Sequence, residues 1–390
     1  MNENKQSNMM LERLIDRFDK KIDGGKGRMK VLSLFDGISC GMVALERAGI
    51  RVERYVAYEI DENAIKVSMH NYPQIEHCGD VTKADFTQYK GFDLLIGGSP
   101  CTYWSIAKAG RETTPDGIGG KLFMEYVRAL RESGCKYFFY ENNNSIHQNI
   151  KDFISEQLGV QPIMINSALV SAQQRKRCYW TNIPGVCQPK DKGILLKDIL
   201  ESGVAWQDKS YCMTASYDGA VFWNTMQRSQ RSMIAEPVGV AQRWRYVQSG
   251  KRTAKSKGGT EQFIEARNDG KSNCLTTVQK DSMVAQPIRI GQYGNGGQGQ
   301  RIYSVRGKSV TLSANGGGQG AKTSLYKIDL PDGDYIIRKL TPVEAERLQT
   351  LPDNYTEGIS KTQRYKCIGN GWTVDVIAHI LKGLKENNNG

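Results

Sequence analysis

Several signatures are missing from this 390-residue chain, and each absence removes a class of function. No uninterrupted apolar run approaches the roughly 20 residues that a membrane-spanning helix needs, so no membrane partner is expected. The opening stretch, MNENKQSNMMLERLIDRFDKKIDGGKGR, has no apolar core of signal-peptide kind. Nine cysteines and only four histidines include no CxxC and no HExxH. The adjacent His77-Cys78 is too little for a site, and no metal is expected. An odd, scattered cysteine set suits a reducing compartment, so a cytoplasmic location is expected. G-x-G-x-x-G is absent too, which removes the dinucleotide fingerprint. Without a heptad or a long apolar seam, the chain is expected to be a monomer.

What is present begins with a thiol and a carboxyl. Cys101 sits in Gly97-Gly98-Ser99-Pro100-Cys101-Thr102-Tyr103-Trp104-Ser105, and Glu141-Asn142-Asn143 follows forty residues later. The run Asp93-Leu94-Leu95-Ile96 leads into the first and Tyr137-Phe138-Phe139-Tyr140 into the second. Short apolar runs ending in a turn read as buried parallel strands. Residues just beyond the carboxyl ends of such strands line the crevice of an open α/β sheet. A thiol must ionise to attack, and a turn into a helix N-terminus helps it do so.

Upstream, Met29 to Gly49 read as a strand (Val31 to Phe35), a glycine turn (Gly37, Gly41) and a helix with Val43, Ala44 and Ala48 on one face. That is the start of a nucleotide-binding βαβ unit. Glu59 ends a second strand, Val56-Ala57-Tyr58, and Asp80 ends a third short segment. Two acids at successive strand ends suit an adenosine ligand, one for the ribose and one for the exocyclic amine. Each is equally at home as a helix N-cap.

In order and rough spacing, Phe35-Asp36-Gly37…Gly41, Glu59, Asp80, Pro100-Cys101 and Glu141-Asn142 resemble the DNA (cytosine-5)-methyltransferases. Gln173-Gln174-Arg175-Lys176-Arg177 is similar to that family's QxRxR element. The stretch from Arg338 to Gln349 is similar to RxLTxxExxRLQ, and Gly369-Asn370-Gly371-Trp372-Thr373-Val374 to GNxxxV. The resemblance covers residues 29–382 apart from the interior at about 188–334. It implies a Rossmann-like α/β methyltransferase domain (29–187 and 335–390) that binds S-adenosyl-L-methionine. An inserted β-rich target-recognition lobe (188–334) and an N-terminal extension (1–28) complete the expected layout. In the extension Leu11, Leu14, Ile15 and Phe18 are helically spaced.

By the same resemblance Cys101 is the nucleophile toward cytosine C6 and Glu141 the acid at N3. Arg175 and Arg177 hold the base's O2 and buttress the cysteine loop, although an alternating arginine strand is otherwise a solvated edge. Phe35, Asp36, Gly37 and Gly41 form the methionine-side turn, with Pro100 beside it. Glu59 takes the ribose, Ile60 lies against adenine, and Asp80 with Val81 meets the adenine amine. Asn370 and Val374 return beside the first glycine turn. The cytosine must leave the duplex to reach such a site.

Two departures stand out. The cysteine loop continues Thr102-Tyr103-Trp104-Ser105 where the family has Gln-x-Phe-Ser. An amide, Asn143, replaces an apolar residue after Glu141-Asn142; it either alters what the base pocket accepts or caps the following helix, and the cap is the favoured expectation. Gly119 to Glu125 and Ser171-Ala172 are similar to the vertebrate de novo branch.

Net charge is +12. From Arg243 to Lys308, 13 lysines and arginines stand against four acids, so this stretch carries +9 of it. A basic patch in one region is the footprint of a polyanion, here expected to be double-stranded DNA. Lys209-Ser210-Tyr211-Cys212-Met213-Thr214-Ala215 recurs from Lys271 and again from Lys308, and each copy is expected to be a short strand. Ten glycines fall in 291–320; they suit either close approach to phosphates or simple flexibility. RNA as substrate, and a DNA-binding protein without catalysis, are the competing readings.

Overall fold

The computed structural model describes residues 28–105, 110–237, 239–246, 260–266, 283–284, 289–292, 301–303 and 335–386. The expected N-terminal helix, the second and third repeat copies and most of the glycine-rich stretch lie outside these residues. Up to Ile194 and again from Glu346 onward, the described residues form one compact unit; those from Leu195 to Ala345 form another.

The first unit is built on a seven-stranded sheet. Its strands are β1 (Met29–Leu34), β2 (Val52–Tyr58), β3 (Glu76–His77), β4 (Leu94–Gly97), β5 (Tyr137–Asn143), β6 (Ile163–Asn166) and β7 (Lys176–Thr181). The order is β3-β2-β1-β4-β5-β7-β6. β3 through β5 run parallel, while β7 is antiparallel to both of its neighbours. Strand order reverses between β1 and β4, and such a switch point opens a crevice at the strands' carboxyl ends.

Both faces of the sheet are covered, which is why its strands are near-continuous apolar runs. Helices α1 (Cys40–Arg47) and α2 (Glu62–Asn71) supply Val43, Ala44, Leu45 and Val67 to a core that includes Val31, Leu94 and Ile96. Helix α3 (Ile118–Ser133) supplies Phe123 and Tyr126, and α4 (Gln148–Leu158) supplies Ile150 and Ile154, to a core with Leu32, Leu95 and Tyr140. Successive strand residues therefore alternate between the two cores, as the pleat requires.

Glu141 was expected just past its strand but lies within β5. Antiparallel β7 pairs Glu141 with Tyr179, Asn142 with Cys178 and Asn143 with Arg177, so ladder bonds continue beyond the last parallel pair, Gly97 with Tyr140. Asn143 does not cap α4: His147 does, accepting from the Asn149 N–H. Asn143 is held in the ladder, four residues too early for that role.

The second unit is antiparallel in its described parts. Strands β8 (Met233–Pro237) and β14 (Tyr335–Lys339) pair, as do β9 (Gly239–Tyr246) and β10 (Thr260–Ala266). β11 (Met283–Val284) joins β9, and β12 (Arg289–Gln292) pairs with β13 (Arg301–Tyr303). The first repeat copy, Lys209–Ala215, is not one of these strands. Its Met213 is buried, and Tyr217 just beyond links the Ser232 carbonyl to the Leu340 N–H. A short α5 (Phe222–Arg228) lies in this unit. After β14 come α6 (Pro342–Leu348), α7 (Lys361–Asn370), α8 (Val374–Leu381) and α9 (Gly383–Glu386). The α8 residues Val376, Ile377 and Ile380 pack in the same core as α1. Among the described residues no helix is long and apolar enough to cross a membrane, and no cluster of side chains could hold a metal.

Candidate active site

One cleft in the first unit, of about 220 Å³, gathers residues from six stretches of chain at the switch point. Phe35, Asp36 and Gly37 follow β1, Glu59 follows β2, and Pro100 and Cys101 follow β4. Glu141 comes from β5, Arg175 and Arg177 from β7 and its approach, and Asn370 from the end of α7. Gly41, Ile60, Asp80, Val81 and Val374 are not in its lining.

Cys101 opens a single turn, Cys101–Tyr103, and its carbonyl accepts from the Trp104 and Ser105 N–H groups. Trp104, one of the departures from the family pattern, is fully buried among the aromatic residues of the α3 face and anchors the loop. A Cβ on Gly119 would come 2.4 Å from its indole nitrogen, so α3 reaches the loop through a glycine. Burial pushes the Cys101 thiol above its ordinary value; Arg177 and Arg175 oppose that, and Glu141 adds to it.

Glu141 is buried and held from two sides. Arg177 Nε lies 2.9 Å from Oε1, and Trp372 Nε1 donates to Oε2 at 3.1 Å. Arg177 sits diagonally from Glu141 across the β5–β7 pair, a separation long side chains span on one face. Its Nη1 also donates to Asn143 Oδ1 at 2.9 Å, so the unexpected amide steadies the guanidinium. Asn142 donates to the Ser99 carbonyl at 3.3 Å and to the Tyr140 hydroxyl at 3.2 Å, tying β5 to the cysteine loop. Arg175 is buried and donates to the carbonyls of Gly371 at 2.9 Å and Gly369 at 3.3 Å. Beside it Gln173 donates to the Leu348 carbonyl and to Gln349 Oε1, which also accepts from Thr373. The QxRxR, RxLTxxExxRLQ and GNxxxV elements thus interlock as a buried polar network, in which each lost partner leaves an unsatisfied group.

At the other end of the cleft, Phe35 and Gly37 take left-handed backbone, with φ of 56° and 62°. The Gly37 N–H donates to Glu59 Oε2 at 2.8 Å, while the Ile60 and Asp61 N–H groups share Oε1 at the same distance. Glu59 is therefore a latch between the turn and β2. The N-cap of α2 is Asp61, which also lines the cleft and holds Lys366 at 2.6 Å. Asp36 accepts from Ser33 at 2.6 Å, Ser39 at 2.5 Å and Tyr55 at 2.7 Å. Burial raises its carboxyl, against the pull of those hydroxyls.

Ile60 is 73% exposed, an apolar surface beside the Glu59 latch. Asp80 caps the turn Val81–Lys83, accepting from the Thr82 N–H and hydroxyl at 2.9 Å, and these bonds lower its carboxyl. Val81 packs with the Phe86 and Tyr89 rings. A Cβ on Gly41 would strike Ile96 at 2.4 Å and the Tyr55 hydroxyl at 2.8 Å, so this glycine serves the close approach of α1 to the sheet. Val374 is buried in the core with α8.

Sequence reasoning missed Trp372, Asp61 and the Ser99–Tyr140–Asn142 bonds. The only available signal for Trp372 was an aromatic at a variable position of GNxxxV. The cleft's chemistry fits a cationic adenosine ligand: three carboxylates (Asp36, Glu59, Asp61), a backbone turn and an apolar surface at its edge.

The model of the C-5 cytosine-specific DNA methylase family matches residues 29–386. The orphan methyltransferase M.SPRI of Bacillus phage SPR is 25% identical, with 92% of this chain and 98% of that protein covered. The type II methyltransferase M.HhaI of Haemophilus parahaemolyticus is 26% identical, covering 95% and 97%. Among solved structures, the Entamoeba histolytica methyltransferase EhMeth aligns over 93% of this chain and 99% of its own, at 15% identity and a TM-score of 0.55. At that identity it speaks to the fold alone, the expected Rossmann-like α/β class. The chain belongs to the C-5 cytosine-specific DNA methylase family and is a DNA (cytosine-5)-methyltransferase.

Proposed function

We propose that this enzyme methylates cytosine C5 at one short sequence of double-stranded DNA, through a covalent bond between Cys101 and C6 of a flipped-out base. The observation that carries this reading is the convergence of Cys101, Glu141 and Arg177 in one cleft. A stacked cytosine cannot enter such a cleft, so the base leaves the helix.

The Cys101 thiolate adds to C6, and the C5–C6 π electrons move through C4 to N3, where Glu141 supplies a hydrogen bond and a proton. Arg177 and Trp372 fix the Glu141 carboxyl, so its position is set before the base arrives. Carbon 5 is then enamine-like and nucleophilic. When bound, S-adenosylmethionine supplies an electrophilic methyl group on its sulfonium. Asp36, Glu59, Asp61 and the Phe35–Gly37 turn would hold it, and the exposed Ile60 would offer an apolar surface to the adenine. Once C5 carries its methyl group it loses its proton to a base, the C5–C6 double bond re-forms, N3 returns its proton, and the Cys101 thiolate leaves. Arg175 braces Gly369 and Gly371 against the cysteine side of the cleft and acts through them. The residues from Arg243 to Lys308 contact DNA, phosphates for affinity and base edges for the target site.

Duplex DNA with 5-fluorocytosine at every cytosine tests the covalent step, because fluorine at C5 blocks the proton loss that releases the thiolate. Incubated with S-adenosylmethionine, the wild type should form a protein–DNA adduct stable to denaturation, and Cys101→Ser should form none. An adduct in the serine variant, or an adduct only with RNA, would contradict the proposal.

A further inference from the structure

Asp36 is supported by a chain of hydrogen bonds that the chemistry above does not use. Ser39 Oγ, which donates to Asp36 Oδ2, lies 2.6 Å from Ser68 Oγ, and Ser68 Oγ lies 3.0 Å from His77 Nε2. The chain runs from the N-cap of α1 through α2 to β3. Ser39 and Ser68 are fully buried, and Ser39 sits at φ 58°, left-handed backbone that these bonds help hold.

Proton counting fixes its direction. An ionised carboxylate only accepts, so Ser33, Tyr55 and Ser39 each give Asp36 their hydroxyl proton. Ser39 must then accept from Ser68, and Ser68 from an N–H on His77 Nε2. Reversed, the chain would place a proton on Asp36 and move the imidazole proton to Nδ1. That nitrogen is buried and has no partner among the described residues, so a proton there would be an orphaned donor, a worse choice than a bare acceptor. Tyr55, Cys40 and Tyr355 face Asp36 from neighbouring elements, and Asp36 and Glu59 face His77. Burial pushes the imidazole below its ordinary value, against the pull of both carboxylates, which favours the neutral ring.

We propose that His77, through Ser68 and Ser39, holds Asp36, a residue of the cleft lining, as a carboxylate and so positions the ammonium group of the methyl donor's amino-acid end. This rests on S-adenosylmethionine occupying the cleft as proposed above. His77 is a positioning residue and touches no reacting atom.

Two measurements test it. In the free wild-type enzyme, 15N NMR of the four histidines, with His77 assigned from its missing signal in His77→Gln, should find the Nε2–H tautomer at neutral pH; the Nδ1–H tautomer overturns the proposal. Calorimetric binding then compares S-adenosylmethionine with 5′-methylthioadenosine, which lacks the amino-acid end. His77→Leu should weaken the first by roughly tenfold, one charge-assisted hydrogen bond's worth, and leave the second within about twofold. His77→Gln, whose amide nitrogen can donate to Ser68, should keep the first within about threefold. Equal weakening of both ligands by His77→Leu, or of neither, rejects the role. Failure of the wild type itself to bind S-adenosylmethionine would instead remove the donor assignment on which the role rests.

Discussion

The parallel-sheet unit and the antiparallel unit place their functional content differently. In the first, Phe35, Glu59 and Cys101 follow parallel strands while Glu141 and Arg177 lie within β5 and β7, and strand order brings them to one crevice. In the second, the described strands pair antiparallel, β9 with β10 and β12 with β13 as neighbours in sequence but β8 with the distant β14, and most of the chain's net positive charge falls there. On the function proposed above, the chemistry rests on the topology of a rigid sheet and target choice on loops and register that a short antiparallel pair specifies weakly. Substitutions in the two units should therefore fail in different observables.

The largest effect after loss of the nucleophile belongs to the carboxyl. Glu141→Gln should lower kcat by about 10²–10³, with DNA affinity nearly unchanged, as rapid-quench turnover and filter binding would register. If affinity fell as far as kcat, Glu141 would be a binding group instead. Next comes pH. Because burial raises the Cys101 thiol, the thiolate fraction is small at neutrality, and the rate of Cys101 alkylation, followed by mass spectrometry of its peptide, should climb about tenfold per pH unit into the alkaline range. Arg177→Ala removes a charge that opposes the burial and should move that limb to still higher pH. The buried Cys40 and Cys367, each pushed up to about 12, should resist alkylation throughout.

A smaller change tests the bond that sequence reasoning missed. Trp372→Phe keeps the ring but loses the donor to Glu141 Oε2, and should lower kcat by roughly tenfold with little change in KM for DNA. The smallest effect belongs to the other unit. Arg243→Ala should reduce the salt slope of DNA binding by about one and weaken affinity a few-fold on any duplex, while S-adenosylmethionine binding stays the same. Loss of methyl-donor binding in that variant would erase the division of labour between the units.

Much of the catalytic unit was legible from the chain. Strands β1, β2, β4 and β5 announce themselves as apolar runs because both sheet faces are buried, and the motifs sit at their ends. The extension of β5 through Glu141 was not legible, since it depends on β7 supplying an antiparallel ladder. Asn143 was misread for the same reason: an amide before a helix suggests a cap, but the ladder holds it opposite Arg177. Gly41 looked like part of a ligand turn, yet the tight approach of Ile96 and Tyr55 explains it. Asp61 was not legible: the N-cap part open to Glu59 falls to it, while Glu59 takes the backbone amides of Gly37, Ile60 and Asp61.

The most direct test of the account is base-resolution methylation sequencing of DNA from cells expressing this chain or its Cys101→Ser variant. The account predicts 5-methylcytosine at one short sequence with the wild type and none with the variant. Unmodified DNA in both, or equal methylation by the variant, would contradict it.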